Sequence, residues 1–357
     1  MPADARKAWD ELLIETVGQI PSVVARNGRS RDFRRLRNEL RGADLSMVSE
    51  VVDRVRQERS AVRLSGSDSI TTYVGEPIIC PDNVVAGVHV RYGAEVPADP
   101  PRLAAIHWDS NAPIGVPRLY LESDFLDMVE IPVENRDRSV YGPLDFCGRI
   151  VRTHDLINIW EDIAGAGPET AKVGRTILRT VSEELIVLQY AMKYVETDVG
   201  PRLRMICQEV DDGTSAESIR RELLDVGIAS TAITVTGMFG ALIDARWPVP
   251  VALKWLTPYF TGTGHGVSTG QAVGLHPDDL ARTPEFIAKV LAGETVIDQM
   301  RNRDPAGGWK RSTFIARLVD PRSAPTLVLV LFAPGPTEHP SPSVPHVPLS
   351  APLSESV

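Results

Sequence analysis

Cysteine is scarce in this chain. Three occur in 357 residues, Cys80, Cys147 and Cys207, and no two are neighbours in sequence. A C-x-x-C redox pair and a local thiolate metal knuckle are therefore excluded. An odd, sparse complement fits a reducing compartment. No apolar run reaches the length of about 18 residues that a membrane-crossing helix needs. The opening segment MPADARKAWD has no apolar core of the kind a secretory leader carries, so the expected location is cytoplasmic. Catalytic fingerprints are missing too. There is no G-x-x-x-x-G-K-[ST] phosphate loop, no H-E-x-x-H, no calcium-binding loop and no local His, Cys and Asp cluster with metal spacing. No metal and no cofactor are expected.

What is present is an ordinary globular balance, 43% hydrophobic and 24% charged, enough apolar side chain for several cores. The net charge of −9 argues against general nucleic-acid binding. That charge is unevenly spread. Residues 1–95 hold 14 Lys/Arg and 14 Asp/Glu, so all of the deficit lies in the rest of the chain, with 24 Lys/Arg against 33 Asp/Glu.

Three composition breaks divide the sequence. Val96–Pro101 carries three prolines in six residues, Asp211–Ser215 is a polar turn, and Pro334–Val357 holds seven Pro and five Ser in 24 residues. The last stretch cannot bury enough surface to offset its ordering entropy, so it is expected to be disordered. Its repeated P-x-x-P spacing, Pro342 to Pro345 to Pro348, favours polyproline II. The expected units are 1–95, 102–210 and 214–333, followed by a tail over 334–357.

Each unit ends in a hairpin signature. Ile70–Cys80 and Val84–Tyr92 flank Pro81-Asp-Asn83; Leu185–Tyr194 and Pro201–Val210 flank a Gly-Pro loop; Ser312–Val319 and Thr326–Phe332 flank a Pro-containing loop. Helices are expected ahead of the hairpins. Asp155–Ile163 has one apolar face, Thr214–Val226 opens on a capping box with Gly227 placed to end it, and Thr283-Pro284-Glu285 starts another. The fold class expected is α+β: three tandem small domains, each an antiparallel sheet with flanking helices. Hairpins imply antiparallel pairing, which excludes a doubly wound parallel sheet.

Few strings carry chemistry. Gly266-Val-Ser268-Thr-Gly270 is a literal G-x-S-x-G, but a nucleophile elbow needs a strand before it and a helix after it. Here a glycine-rich loop precedes it and a short broken segment follows. Gly262, Gly264 and Gly266 also lack the strand–helix context of a phosphate cradle. Arg29–Arg41 holds six arginines against two acids. Read as a helix, it has an apolar stripe of Phe33, Leu36 and Leu40 and a basic stripe of Arg34, Arg37 and Arg41, a docking face for an acidic partner or anionic surface. Trp247, Trp255 and Trp309 fall in the third unit, as core or as pocket lining. Trp255, His276 and Trp309 are the candidate pocket residues. His276 has a competing role as a cap on local backbone, with Asp278 and Asp279 starting a helix.

Two stretches carry a family resemblance. Leu275-His-Pro-Asp-Asp-Leu280 resembles the HPDD element of PAS domains, and Phe286–Glu294, Trp309–Arg317 and Thr326–Phe332 follow in the order of the PAS helix and closing strands. Trp9–Gly18, Pro21–Ala25, Glu76–Ile79 and Val84–Val90 resemble the start of an actinobacterial, chiefly mycobacterial, family built only of sensory domains, one GAF-like and two PAS-like. The resemblance spans residues 9–333. It implies a GAF-like first domain, two PAS-like domains, no catalytic domain, and a sensor or scaffold that integrates signals from an unknown small molecule or a signalling protein partner. The cysteine motif of flavin photosensors is missing. The alternatives are a purely structural protein–protein adaptor, or a hydrolase using Ser268.

Overall fold

The computed structural model describes residues 8–109, 116–210, 216–247, 249–258, 274–304 and 308–338. The first unit opens with β1 (Trp9–Glu15), β2 (Ser22–Arg26) and β3 (Arg29–Arg35), continues through α1 (Leu36–Glu39) and α2 (Gly42–Glu58), and closes with β4 (Val62–Ser65), β5 (Thr72–Ile79) and β6 (Val85–Gly93). The strands form one antiparallel sheet in the order β3-β2-β1-β6-β5-β4. Val48, Val51, Val52 and Val55 of α2 recur at helical spacing and are buried. They pack on Leu12, Ile14, Val88 and Val90. The approach is close enough that a Cβ on Gly75 would sit 2.3 Å from Val51 Cγ1, which is why β5 carries glycine there.

The second unit contains β7 (Leu103–Asp109), β8 (Arg118–Leu121), α3 (Ser123–Met128), α4 (Pro143–Cys147), α5 (Thr153–Ala164), β9 (Ala171–Arg179), β10 (Leu185–Val195) and β11 (Arg202–Glu209). The third contains α6 (Ala216–Val235), β12 (Phe239–Asp244), β13 (Val251–Trp255), α7 (Pro277–Leu291), β14 (Val296–Arg303), β15 (Trp309–Asp320) and β16 (Ala324–Glu338). Their sheets run β8-β7-β11-β10-β9 and β13-β12-β16-β15-β14. Numbered within each unit, both orders read 2-1-5-4-3. The first sheet has the same order with β3 added outside the second strand.

The units stack. The back of the first sheet lies on the second, burying Leu13, Val24, Ala25, Ile78 and Ala86 against Ala105, Ala191 and Ile206. Charged pairs line this seam. Lys193 Nζ donates to the buried carboxylate of Glu15 at 3.1 Å, and Arg204 pairs with Asp82. The other face of the second sheet is covered by α3, α4 and α5. That core extends into Leu242, Val251, Leu253, Ala324 and Leu327 of the third sheet. The third sheet's far face packs on Phe286 and Val290 of α7. The chain is thus α+β, three antiparallel sheets with flanking helices in alternating layers.

Four expectations are corrected. Residues 29–41 are not one helix: only Leu36–Glu39 is helical. Asn27 (φ 49) and Gly28 (φ 69) are consecutive left-handed residues, the requirement of a two-residue hairpin turn, so Arg29–Arg35 returns as a strand. Phe33 packs at the inter-sheet seam, whereas Leu36 and Leu40 pack under α2, so they are not one stripe. Pro284 lies inside α7 rather than at its start. His276-Pro277-Asp278-Asp279 supplies the same cap–proline–acid signature upstream and is held in place by Arg301. Gly227 does not end α6, which continues to Val235 and stops before the left-handed Gly237 (φ 71). Finally, residues 334–338, expected to belong to a disordered tail, lie in β16, with Ser312 opposite Pro334 and Trp309 opposite Glu338. Pro334 is tolerated because the register shifts beside it, between Lys310 and Ser312. The serine and glycines of Gly262–Gly270, Thr214 and the P-x-x-P repeat lie outside the described residues.

Candidate functional site

The helix-facing interiors of the second and third units differ in chemistry. In the second, Trp108, Phe125 and Phe146 are fully buried and Trp160 nearly so. Trp108 meets Phe146 and Trp160 edge-on, with centroids 6.0 and 6.2 Å apart, and Phe125 lies 5.9 Å from Phe146. These large rings fill the space between β7 and the helices.

In the third, the interior is built by Phe286 and Val290 of α7 with Met300, Phe314 and Ala316 of the sheet. Alternation along β14 points Val296, Met300 and Asn302 inward, and along β15 it points Ser312 and Phe314 inward. Asn302 is 2% exposed and Ser312 is fully buried. Both amide atoms of Asn302 and the Ser312 hydroxyl have no hydrogen-bond partner among the described residues, and Met300 stands opposite Ser312 in the register. Buried polar groups are rarely left in this state.

The rim beside Asn302 is formed by the entry to α7. Leu275 bridges to Asn302, and His276 N donates to Arg301 O at 2.9 Å. His276 Nδ1 accepts from Asp278 N at 3.2 Å, so its ring caps the helix. The same ring packs edge-on against Trp309 at 4.8 Å, whose other neighbour is the Arg303 guanidinium at 5.3 Å. Asp279 accepts from Arg301 N at 2.7 Å and Nε at 3.0 Å. Burial pushes its carboxyl up, but the Arg301 bonds outweigh this and hold it below the usual range.

His276 and Trp309 are therefore brought together; Trp255 is elsewhere. It stands opposite Ala241, in the row that runs through Val330 to Ala316, far along β15 from Trp309. It packs on Phe332 at 6.0 Å. Trp247 leaves the third unit altogether and meets Trp160 of the second at 5.6 Å. Arg34, Arg37 and Arg41 fall on β3, on α1 and just before α2. All three are exposed, and Arg34 Nη1 lies 3.7 Å from Glu39. Sequence reasoning missed Asn302 and Ser312. The available signal was a polar residue at the inward phase of an otherwise apolar strand period.

The described residues hold no group of His, Cys, Asp and Glu placed to bind a metal, and none of their helices is long and apolar enough to cross a membrane. Cys80, Cys147 and Cys207 are buried and unpaired, and burial pushes each thiol up, away from the reactive thiolate.

Residues 9–101 match the family model described as Rv3651-like, N-terminal. No curated protein matches the chain. Among solved structures, an uncharacterized protein from Mycobacterium tuberculosis is similar in fold, with a TM-score of 0.66 at 20% identity over 92% of this chain and 97% of that one. An RNA-binding light-oxygen-voltage receptor matches at a TM-score of 0.26 and 10% identity, over 64% of this chain and 94% of that one. The E. coli DhaR(N)–DhaL complex matches at 0.21 and 9%, over 58% and 81%. The last two scores are too low to carry an argument.

Proposed function

We propose that this protein is a non-catalytic sensor or scaffold of the GAF/PAS kind, in which the third unit takes a small polar ligand and the second is a closed connecting layer. The observation that carries the reading is the pair Asn302 and Ser312. An amide and a hydroxyl buried without partners cost about 1–3 kcal/mol each, a cost that a hydrogen-bonding ligand would offset. The core of the second unit also buries polar atoms without a partner among the described residues, Trp108 Nε1 and the Tyr141 hydroxyl, but large aromatic rings fill the space around them. Because the third sheet shares a core with α4 and α5, a change in its shape would be felt in the layer beneath it.

Native and denaturing mass spectra of the full-length protein test this reading. A mass increment held under native conditions, lost on denaturation and absent from the Asn302→Leu variant supports it. An increment indifferent to that substitution, or none after incubation with cell metabolite extract, overturns it in favour of a ligand-free adaptor.

A further inference from the structure

A second polar site lies in the first unit, away from the third. At the tip of the β2–β3 hairpin a hollow of 420 Å³ is lined by Arg26, Asn27, Arg29 and Arg31. Its frame is fixed by the left-handed pair Asn27 and Gly28. The Asn27 side chain is locked on both sides, Oδ1 accepting from Glu11 N at 2.8 Å and Nδ2 donating to Asp10 at 2.6 Å.

Two of the arginines are held from behind. Arg26 donates to Glu39 O at 2.7 Å and Asp10 at 3.0 Å, and Arg31 donates to the Glu39 carboxylate at 3.3 Å and Ser30 O at 3.2 Å. A guanidinium has five N–H donors, so Arg26 and Arg31 each keep donors for a further acceptor. Arg29 is exposed and has no partner among the described residues. Arg34 reaches the same Glu39 at 3.7 Å. Three arginines, Arg26, Arg31 and Arg34, thus share two carboxylates, Asp10 and Glu39, and Arg29 adds a fourth positive charge, in a protein whose net charge is −9.

We propose that this hollow binds a compact diphosphate group, either free pyrophosphate or the diphosphate of a larger molecule. Among the described residues its lining is arginine and asparagine alone, with no apolar residue type. Planar guanidinium forks match phosphate oxygens in pairs. The surplus charge and the volume exceed what a single carboxylate would use. The site also lies on the seam between the first two units. Arg175 of β9 donates to the Gly28 carbonyl, and Gln189 of β10 donates to Ser30 at 3.4 Å. An anion seated here would tighten the hairpin's hold on the second unit.

The test is titration calorimetry on the full-length protein with sodium pyrophosphate, AMP and ADP, at ionic strength held constant with sodium chloride. Saturable one-to-one binding of pyrophosphate or ADP, but not of AMP, is expected. Preference for pyrophosphate identifies the free ion, and preference for ADP identifies a nucleotide-borne diphosphate. Arg29→Gln should weaken binding at least about tenfold, the worth of one charge-assisted pair. This side chain is exposed and unpartnered, so its loss leaves the fold intact. Arg56→Gln, exposed on α2, should leave affinity unchanged. No saturable binding of either compound overturns the proposal, as does affinity indifferent to Arg29→Gln or equally reduced by Arg56→Gln.

Discussion

The indole N–H of Trp160 in the second unit donates to Asp244 of the third at 2.5 Å, a fully buried contact across the boundary between two sheets. The same carboxylate accepts from the Arg246 backbone N–H at 2.9 Å and is ion-paired with its guanidinium at 2.7 Å, and Arg246 turns back to Glu161, one residue past the tryptophan. Asp244 is 1% exposed, so among the described residues its charge is met by this network. Asp244→Ala leaves both donors without it and should lower unfolding stability by about 2–4 kcal/mol. Trp160→Phe, which keeps the ring and the Asp244–Arg246 pair, should cost about 1–2 kcal/mol. Urea midpoints followed by circular dichroism rank the two, and an Asp244→Ala midpoint equal to the wild type refutes the anchor.

Lys254 makes the second tie, and it titrates in an accessible range. It is buried, donates to the carbonyls of Ile150 and Val151, and is pushed down to about 8 by burial, with Arg179 adding to the effect. The unfolded side chain has the ordinary value of 10.5. Between these values the unfolded chain binds the proton and the folded chain does not, so this group's contribution to stability rises with pH from about 8 to 10.5. The wild type should therefore gain stability relative to Lys254→Met across that window. Subtracting the two curves removes the opposite trend from the buried tyrosines Tyr73, Tyr92 and Tyr190, whose hydroxyls burial pushes up. Parallel curves for the two proteins contradict the assignment.

The acid side has its own reporter. His107 lies at the seam of the first two sheets, 4% exposed and stacked 4.6 Å from Tyr120. Burial pushes it down to about 4, with Arg202 and Arg204 acting in the same direction and Asp82 and Asp109 against it. The folded imidazole is neutral where the unfolded one, at 6.5, takes a proton. Stability supported by the neutral form is present above 6.5 and is lost as pH falls towards 4, by about 1.4 kcal/mol per pH unit at most. His107→Asn, which cannot titrate, should flatten the wild-type slope between pH 6.5 and 4.5 in thermal melts; an unchanged slope shows that other groups carry it.

How much of this was legible in the sequence follows from which signals are local. The three closing hairpins were, because strand period and turn residues sit within a few positions of each other. Thus Pro81-Asp-Asn83 does separate β5 from β6, and α5 begins and ends within two residues of Asp155–Ile163. The errors came where two local signals competed. The arginine run has a plausible helical stripe, but Asn27-Gly28 just before it dictates a hairpin. Thr283-Pro284 imitates a helix start that His276-Pro277 already supplies. The diphosphate hollow was hidden for another reason. Its charge is set by where Asp10 and Glu39 fold back, and sequence spacing does not report that.

The last prediction separates function from stability at one residue. If Asn302 is kept polar for a ligand, the ligand-free protein bears the cost of an amide buried without partners. Asn302→Leu replaces it by an apolar side chain on the inward face of β14, two residues from Met300. In the ligand-free state this variant should be more stable than wild type by about 1–2 kcal/mol, and it should hold less co-purifying small molecule. Ser312→Ala should act in the same direction and less strongly. A residue kept only for packing gives the reverse result, with Asn302→Leu overpacking the interior and lowering the melting temperature. Thermal melts of protein refolded without ligand decide between the two, because gain and loss have opposite signs.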